Sequence, residues 1–99
     1  MWIDPEGIVH EVEFALHESF AATILRERYH EEPNIDHVVP QLFAKGWISV
    51  HEDWMIGTTI ENYKRMTFEQ YQTLYKRFGD RRLFRGWTVK QLYDEARPI

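Results

Sequence analysis

The sequence predicts a mostly helical α+β fold that is winged-helix-like: two helices, then a β-hairpin wing, then two capped helices, with residues 1–99 forming a single domain. Three observations predict it. Apolar residues recur at spacings of three and four before residue 46, the period of a helix face. Gly46 then leads into two short segments, 47–50 and 54–60, that alternate as strands do. Beyond them, two capping boxes open two further helices.

Taken in order, Ile3-Asp4-Pro5-Glu6-Gly7-Ile8 is a turn, with Asp, Pro and Gly at the first, second and fourth places of a type I turn. Ile8, Val9 and Val12 follow as a short strand, either in a small N-terminal hairpin or as a brief extended segment, which would look the same in sequence. The first helix is expected over 16–29, with Phe20, Ala21, Ile24, Leu25 and Arg28 or Tyr29 on one stripe. Glu18 favours its positive end and Arg26 and Arg28 its negative end. Pro33 closes the segment. The second helix is expected over 36–45, capped by Asn34 or Asp36. Pro40 argues for the later start, because proline fits a first turn and breaks an interior. Val38, Val39, Leu42 and Phe43 form its apolar face, and Gly46 suits its left-handed end.

In the wing, Ile48 and Val50 share one strand face, and Trp54, Ile56 and Ile60 share another. Glu52-Asp53 makes the turn without an Asn-Gly signal, and Gly57 marks a bulge or close approach. Thr67 with Gln70 is the first capping box, with Met66 and Tyr71 spaced as its hydrophobic staple; that helix stops at Gly79. Thr88 with Gln91 is the second, stapled by Trp87 and Leu92, and its helix ends near Ala96 before Pro98. The expected core is Phe20, Ile24, Leu25, Val39, Leu42, Phe43, Ile48, Val50, Ile56, Tyr71, Leu74 and Trp87.

Composition narrows the function classes. There is no cysteine, which removes disulfides and thiolate chemistry and suits a reducing, cytoplasmic setting. Asp4, Glu6, Glu11 and Glu13 stand where a signal peptide would be basic and apolar, and no apolar run is long enough to span a membrane. The net charge of −4 divides unevenly. Residues 1–61 hold three Lys and Arg against twelve Asp and Glu, a balance of −9; residues 62–99 hold nine against four, a balance of +5. Halves of opposite sign attract each other within one molecule or between copies, or offer a basic face to an anionic partner.

Two sets of residues are candidates for contact. In a winged helix the second helix enters the major groove, and here His37, Gln41 and Lys45 would form its outward face. Its surroundings, residues 31–53, carry one cation against five acids, which repels phosphate. The second set is Arg77, Arg81, Arg82, Arg85 and Lys90, interleaved with Phe78, Phe84 and Trp87. Such a segment suits nucleic acid or an acidic partner, including the acidic half of this chain. The ordinary reading of the aromatics is core.

No catalytic, cofactor or metal site is expected. His10, His17, His30, His37 and His51 form no HExxH-like spacing, and Glu27 with His30 is a lone helical pair whose usual place is solvent. No nucleophile-with-base or paired-carboxylate signature is present.

Three places resemble a loose group of small proteins from tailed-phage and marine metagenomic sequences. They are His17-Glu18 to Ala21-Ala22, Gly46-Trp47-Ile48-Ser49-Val50, and Met66-Thr67-Phe68-Glu69-Gln70-Tyr71 with Leu74. The Gly-Trp-Ile-x-Val element is the most specific, and its relatives often carry Arg at the position of Ser49. The resemblance implies a winged-helix-like fold and brings no activity and no catalytic residues.

The expectation is therefore a non-enzymatic interaction module, a phage-like or viral accessory protein of the host cytoplasm. It would make protein–protein contacts, its own copies included. The alternative is a nucleic-acid-binding winged helix-turn-helix protein using the C-terminal basic segment.

Overall fold

The computed structural model describes residues 1–50, 66–82 and 86–95. Their order is β1 (Trp2–Ile3), β2 (Val9–His10), a 3-10 turn (Phe14–Leu16), α1 (His17–Tyr29), α2 (Val38–Ala44), β3 (Ile48–Ser49), α3 (Phe68–Phe78) and α4 (Val89–Glu95). This is a small α+β fold around a three-stranded antiparallel sheet of order β2-β1-β3.

Of the two readings of the N-terminus, the hairpin forms. Gly7 N donates to Asp4 O at 2.9 Å, closing the turn, and β1 pairs with β2 in the register Trp2 with His10 and Ile3 with Val9. The strand after Gly46 also forms. Its described partner is β1, with Trp2 opposite Ser49 and Ile3 opposite Ile48. Val50 and Met1 extend that pairing through two backbone bonds, Val50 N to Met1 O at 3.0 Å and Met1 N to Val50 O at 2.6 Å. The turn at Glu52-Asp53, Gly57 and the second wing strand, with Trp54, Ile56 and Ile60, lie outside the described residues.

Strand alternation splits the core into two layers. Met1, Ile3, Ile48 and Val50 face α3 and α4, where they join Met66, Leu74, Phe78, Val89 and Leu92. Trp2 and Trp47 point the other way and meet Ala21, Leu25, Val38, Leu42 and Phe43 of α1 and α2. Each large side chain buried this way contributes about 1.5–3 kcal/mol. The central strand is thus the N-terminal one, and each of its two residues serves a different layer.

The core differs from expectation at its margins. Phe20, Ile24, Val39, Tyr71 and Trp87 are half-buried and pack against the buried clusters. Their places at full burial are taken by Trp2, Ile3, Trp47, Ala21 and Val38, among others. Ala21 is fully buried among the α1 and α2 side chains Leu25, Val38, Leu42 and Phe43.

Both capping boxes are present. Thr67 Oγ1 accepts from Gln70 N at 3.1 Å while Gln70 Oε1 accepts from Thr67 N at 3.0 Å. Thr88 and Gln91 repeat the exchange at 3.1 and 2.9 Å. The cap expected for α2 is corrected. The helix starts at Val38 with His37 at the flanking position and no side-chain cap. Asn34 instead closes a local turn, its Oδ1 accepting from Asp36 N at 3.1 Å. Asn and Asp side chains readily make such turns in place of capping. Pro40 falls in the first turn of α2, where its missing N–H leaves no broken bond. At the end of α1, His30 takes a left-handed conformation, φ 53°, and Glu31 N returns to Leu25 O at 2.9 Å. This is a left-handed helix ending on a residue other than glycine. It also removes His30 from the helical lattice that would have placed it above Glu27.

Candidate interaction surface

Asp4 organises the hairpin. Its carboxylate is buried, Oδ1 accepts from Glu6 N at 3.0 Å and Ile8 N at 2.9 Å, and Oδ2 lies 3.0 Å from His10 Nε2. Burial opposes ionisation of Asp4, but the bonds from His10, Ile8 and Glu6 and the charge of His10 outweigh it, and its pKa lies below the ordinary value. Arg28 of α1 approaches the same carboxylate at 3.9 Å and bonds Glu6 at 2.7 Å, so the hairpin is tied to the helix. The Arg28 guanidinium also lies over the Trp47 ring, 5.5 Å from its centroid.

These ties bring β2 and the following extended residues alongside α1, and a groove opens between them. It holds about 730 Å³ and is broadly open to solvent. Val12, Leu16 and Phe20 form its apolar floor, and Glu11 and Glu13 stand on one rim. The His10 ring closes one end, packed against Phe20 and Trp47 at centroid distances of 5.7 and 5.0 Å. Ser19 and Thr23 line the α1 side, but their hydroxyls are turned back onto the helix, to Leu16 O and Ser19 O. The groove is therefore apolar and acidic in character. Leu16 in its lining is 53% accessible, and Ile8 and Phe14, near the lining residues in sequence, are 59% and 58% accessible.

Sequence reasoning did not find this groove, because no single segment carries it. Val12 and Glu13 precede α1, Leu16 and Phe20 lie within or beside it, and their convergence depends on the Asp4 turn. The one local signal was Glu11 and Glu13 flanking Val12 in an extended stretch.

The expected recognition face is brought together only in part. His37 is exposed before α2. Gln41 Oε1 accepts from Asn34 N at 2.7 Å and its Nε2 donates to Glu32 O at 3.3 Å. Lys45 pairs with Glu31 at 2.6 Å beside the Tyr29 ring. Two of the three side chains thus pin the connection between α1 and α2.

The basic segment is spread over α3 and α4. Arg77 pairs with Glu11 at 2.9 Å, joining the basic half of the chain to the acidic half. Arg81 lies over Phe78, 5.8 Å from the ring centroid. Arg82 donates to Gly86 O at 2.7 Å, across a bridge that pairs Arg82 with Thr88. Lys90 pairs with Asp94 at 2.5 Å. Arg85 lies outside the described residues.

The three places that resemble the phage and metagenomic group meet around β3. His17 is buried and stacks on Trp2 with centroids 4.6 Å apart, and its Nδ1 lies 3.4 Å from Ser49 Oγ. Gln70 reaches Gly46 O at 2.7 Å. Among the described residues, no group of three His, Asp or Glu side chains gathers as a metal would require, and no helix is long and apolar enough to cross a membrane. Comparison of the chain with protein-family models, curated proteins and solved structures gives no match.

Proposed function

We propose that this chain is a non-enzymatic module that makes protein–protein contacts. The observation that carries this reading is the groove between β2 and α1, lined by the apolar Val12, Leu16 and Phe20, with exposed Ile8 and Phe14 close to its lining residues in sequence. Exposed apolar side chains clustered at a groove mark surfaces that other chains cover. We read the fold as winged-helix-like, supported by α2 passing through Lys45 and Gly46 directly into β3. On this reading the winged-helix shape is a scaffold for protein contacts. The resemblance at Gly46-Trp47-Ile48 supports a phage-like accessory role.

The test is photo-crosslinking. Phe14 is replaced by a benzophenone amino acid, and Gln72, exposed on α3, is replaced likewise as control. Discrete adducts from position 14, lost when Leu16→Asp is added, are expected. Adducts from position 14 no different from those of position 72 would reject the reading.

A further inference from the structure

The groove's charge and its neighbourhood say what covers it. Glu13 is exposed, and among the described residues its carboxylate has no ion pair. Glu11 is already met by Arg77, which projects from the C-terminal part of α3. That single contact fixes the relation between two surfaces. The basic end of α3 lies directly beside the acidic rim of the groove in the same molecule. On α3, Thr73 and Arg77 face the hairpin, Thr73 Oγ1 donating to Gly7 O at 2.6 Å. Lys76, three residues from Thr73, lies on the adjoining solvent side of the helix. It is exposed and without an ion pair among the described residues. Arg81 and Arg82 extend the basic surface past the helix end, next to Asp80, while Glu69 lies in the first turn of α3, at its other end.

Adjoining patches of opposite sign are self-complementary about a two-fold axis. Rotating one copy onto another places each basic patch over the other's acidic patch, and the contact closes. We propose that the groove is one half of such a contact, and that its occupant is a second copy of this chain. The end of the second copy's α3, with Lys76, is set against Glu13, and apolar surface around Leu16 is covered between them. This inference rests on the protein-contact reading and names its partner. The chemistry is the balance of −9 and +5 along the chain made spatial. Within one molecule Arg77 and Glu11 join the two halves, and between molecules the same attraction uses Glu13 and Lys76. Each pair occurs twice in a two-fold contact, so a charge reversal counts twice.

The experiment is sedimentation equilibrium of the full chain at low and moderate salt, over micromolar to submillimolar concentration. The expected species is a dimer, twice the 12.0 kDa of one chain, weakening as salt rises. Glu13→Lys should raise the dissociation constant at least about tenfold, because two exposed pairs become two repulsions. Glu32→Lys, the same change of charge in the connection between α1 and α2, should leave it unchanged. Lys76→Glu alone should weaken the dimer as Glu13→Lys does, and Glu13→Lys with Lys76→Glu in one chain should restore it. All four variants are at exposed positions, and circular dichroism verifies their fold. A strictly monomeric wild type would overturn the inference, as would a dimer indifferent to Glu13→Lys. In either case, adducts to other proteins from position 14 would still uphold the protein-contact reading, so the two fail separately.

Discussion

Gln70 Nε2 donates to Gly46 O at 2.7 Å, so the residue that caps α3 also holds the junction where α2 passes into β3. The same amide nitrogen lies 3.0 Å from Asp4 O and 3.3 Å from Ile3 O, and the side chain is fully buried. One glutamine thus joins the helix start, the hairpin and the β3 junction, with its oxygen spent on Thr67 and its nitrogen on three carbonyls.

Gln70→Ala should therefore cost more than a lost cap. It leaves buried carbonyls and one N–H without their partner, a loss of about 1–3 kcal/mol for each group that water cannot reach. Gln70→Glu should be worse at neutral pH, since a carboxylate would face three carbonyl oxygens, and should recover part of the loss in acid as the introduced carboxyl is protonated. Urea unfolding of both variants at neutral and acidic pH checks this. A Gln70→Glu protein as stable as the wild type at neutral pH would contradict the arrangement.

Gly7→Ala tests how the hairpin seats on α3. Gly7 has φ +86°, and an added Cβ would lie 2.7 Å from the backbone oxygen of Glu69. Gly86 has φ +75° with open space around it. Gly86→Ala should cost only the left-handed strain, about 1–2 kcal/mol. Gly7→Ala should cost clearly more, because helix backbone cannot step aside as a side chain can. Equal thermal unfolding shifts for the two would show that the hairpin is not seated there.

Asp4 sets an acid limb to stability. Its pKa in the fold lies below its unfolded value, so the contribution is present above the ordinary carboxylate range, about 3.9, and is lost as pH falls through the folded pKa. Asp4→Asn keeps an oxygen for Glu6 N and Ile8 N but gives up the charge facing His10 and Arg28. It should cost about 1.5–3 kcal/mol at neutral pH. The deficit should close in acid, where the wild-type carboxylate is also neutral. A deficit constant across that range would remove the electrostatic account.

Nucleic acid should not bind through the arginine segment. Arg77, Arg82 and Lys90 are engaged by Glu11, Gly86 O and Asp94, and Gln41 and Lys45 by the connection between α1 and α2. Labelled duplex and single-stranded DNA at low salt should show no micromolar binding, and Arg81→Glu with Arg82→Glu should change nothing. Binding that falls steeply with salt and vanishes in that double variant would establish the nucleic-acid alternative instead.

What could be read along the chain was what neighbours in sequence decide. The Thr67 and Thr88 boxes and the Asp4 turn span four residues each, so spacing alone reveals them. Gly46 and the alternation at Ile48 and Val50 were legible for the same reason. The other half of Gln70 was not, because its acceptors lie as many as 67 residues away. Trp2 and Ile3 have no period to display in a strand two residues long, yet they occupy the centre of the sheet. Asn34 and Asp36 looked like caps because a turn and a cap use the same side chains. The groove depended on Asp4 folding β2 back beside α1, a long-range result of a local turn.

The central position of β1 also sets a timetable for the chain on the ribosome. Val9 follows Ile3 by six residues, but Ile48 and Gln70 are made far behind it. At about 5–20 residues per second, the 67 residues separating Ile3 from Gln70 take roughly 3–13 s to make. Through that interval the face of Ile3 that α3 later covers is bare. Nascent chains halted before residue 70 would expose an open β edge and one uncovered sheet face, the species that chaperones hold and that aggregates when they do not.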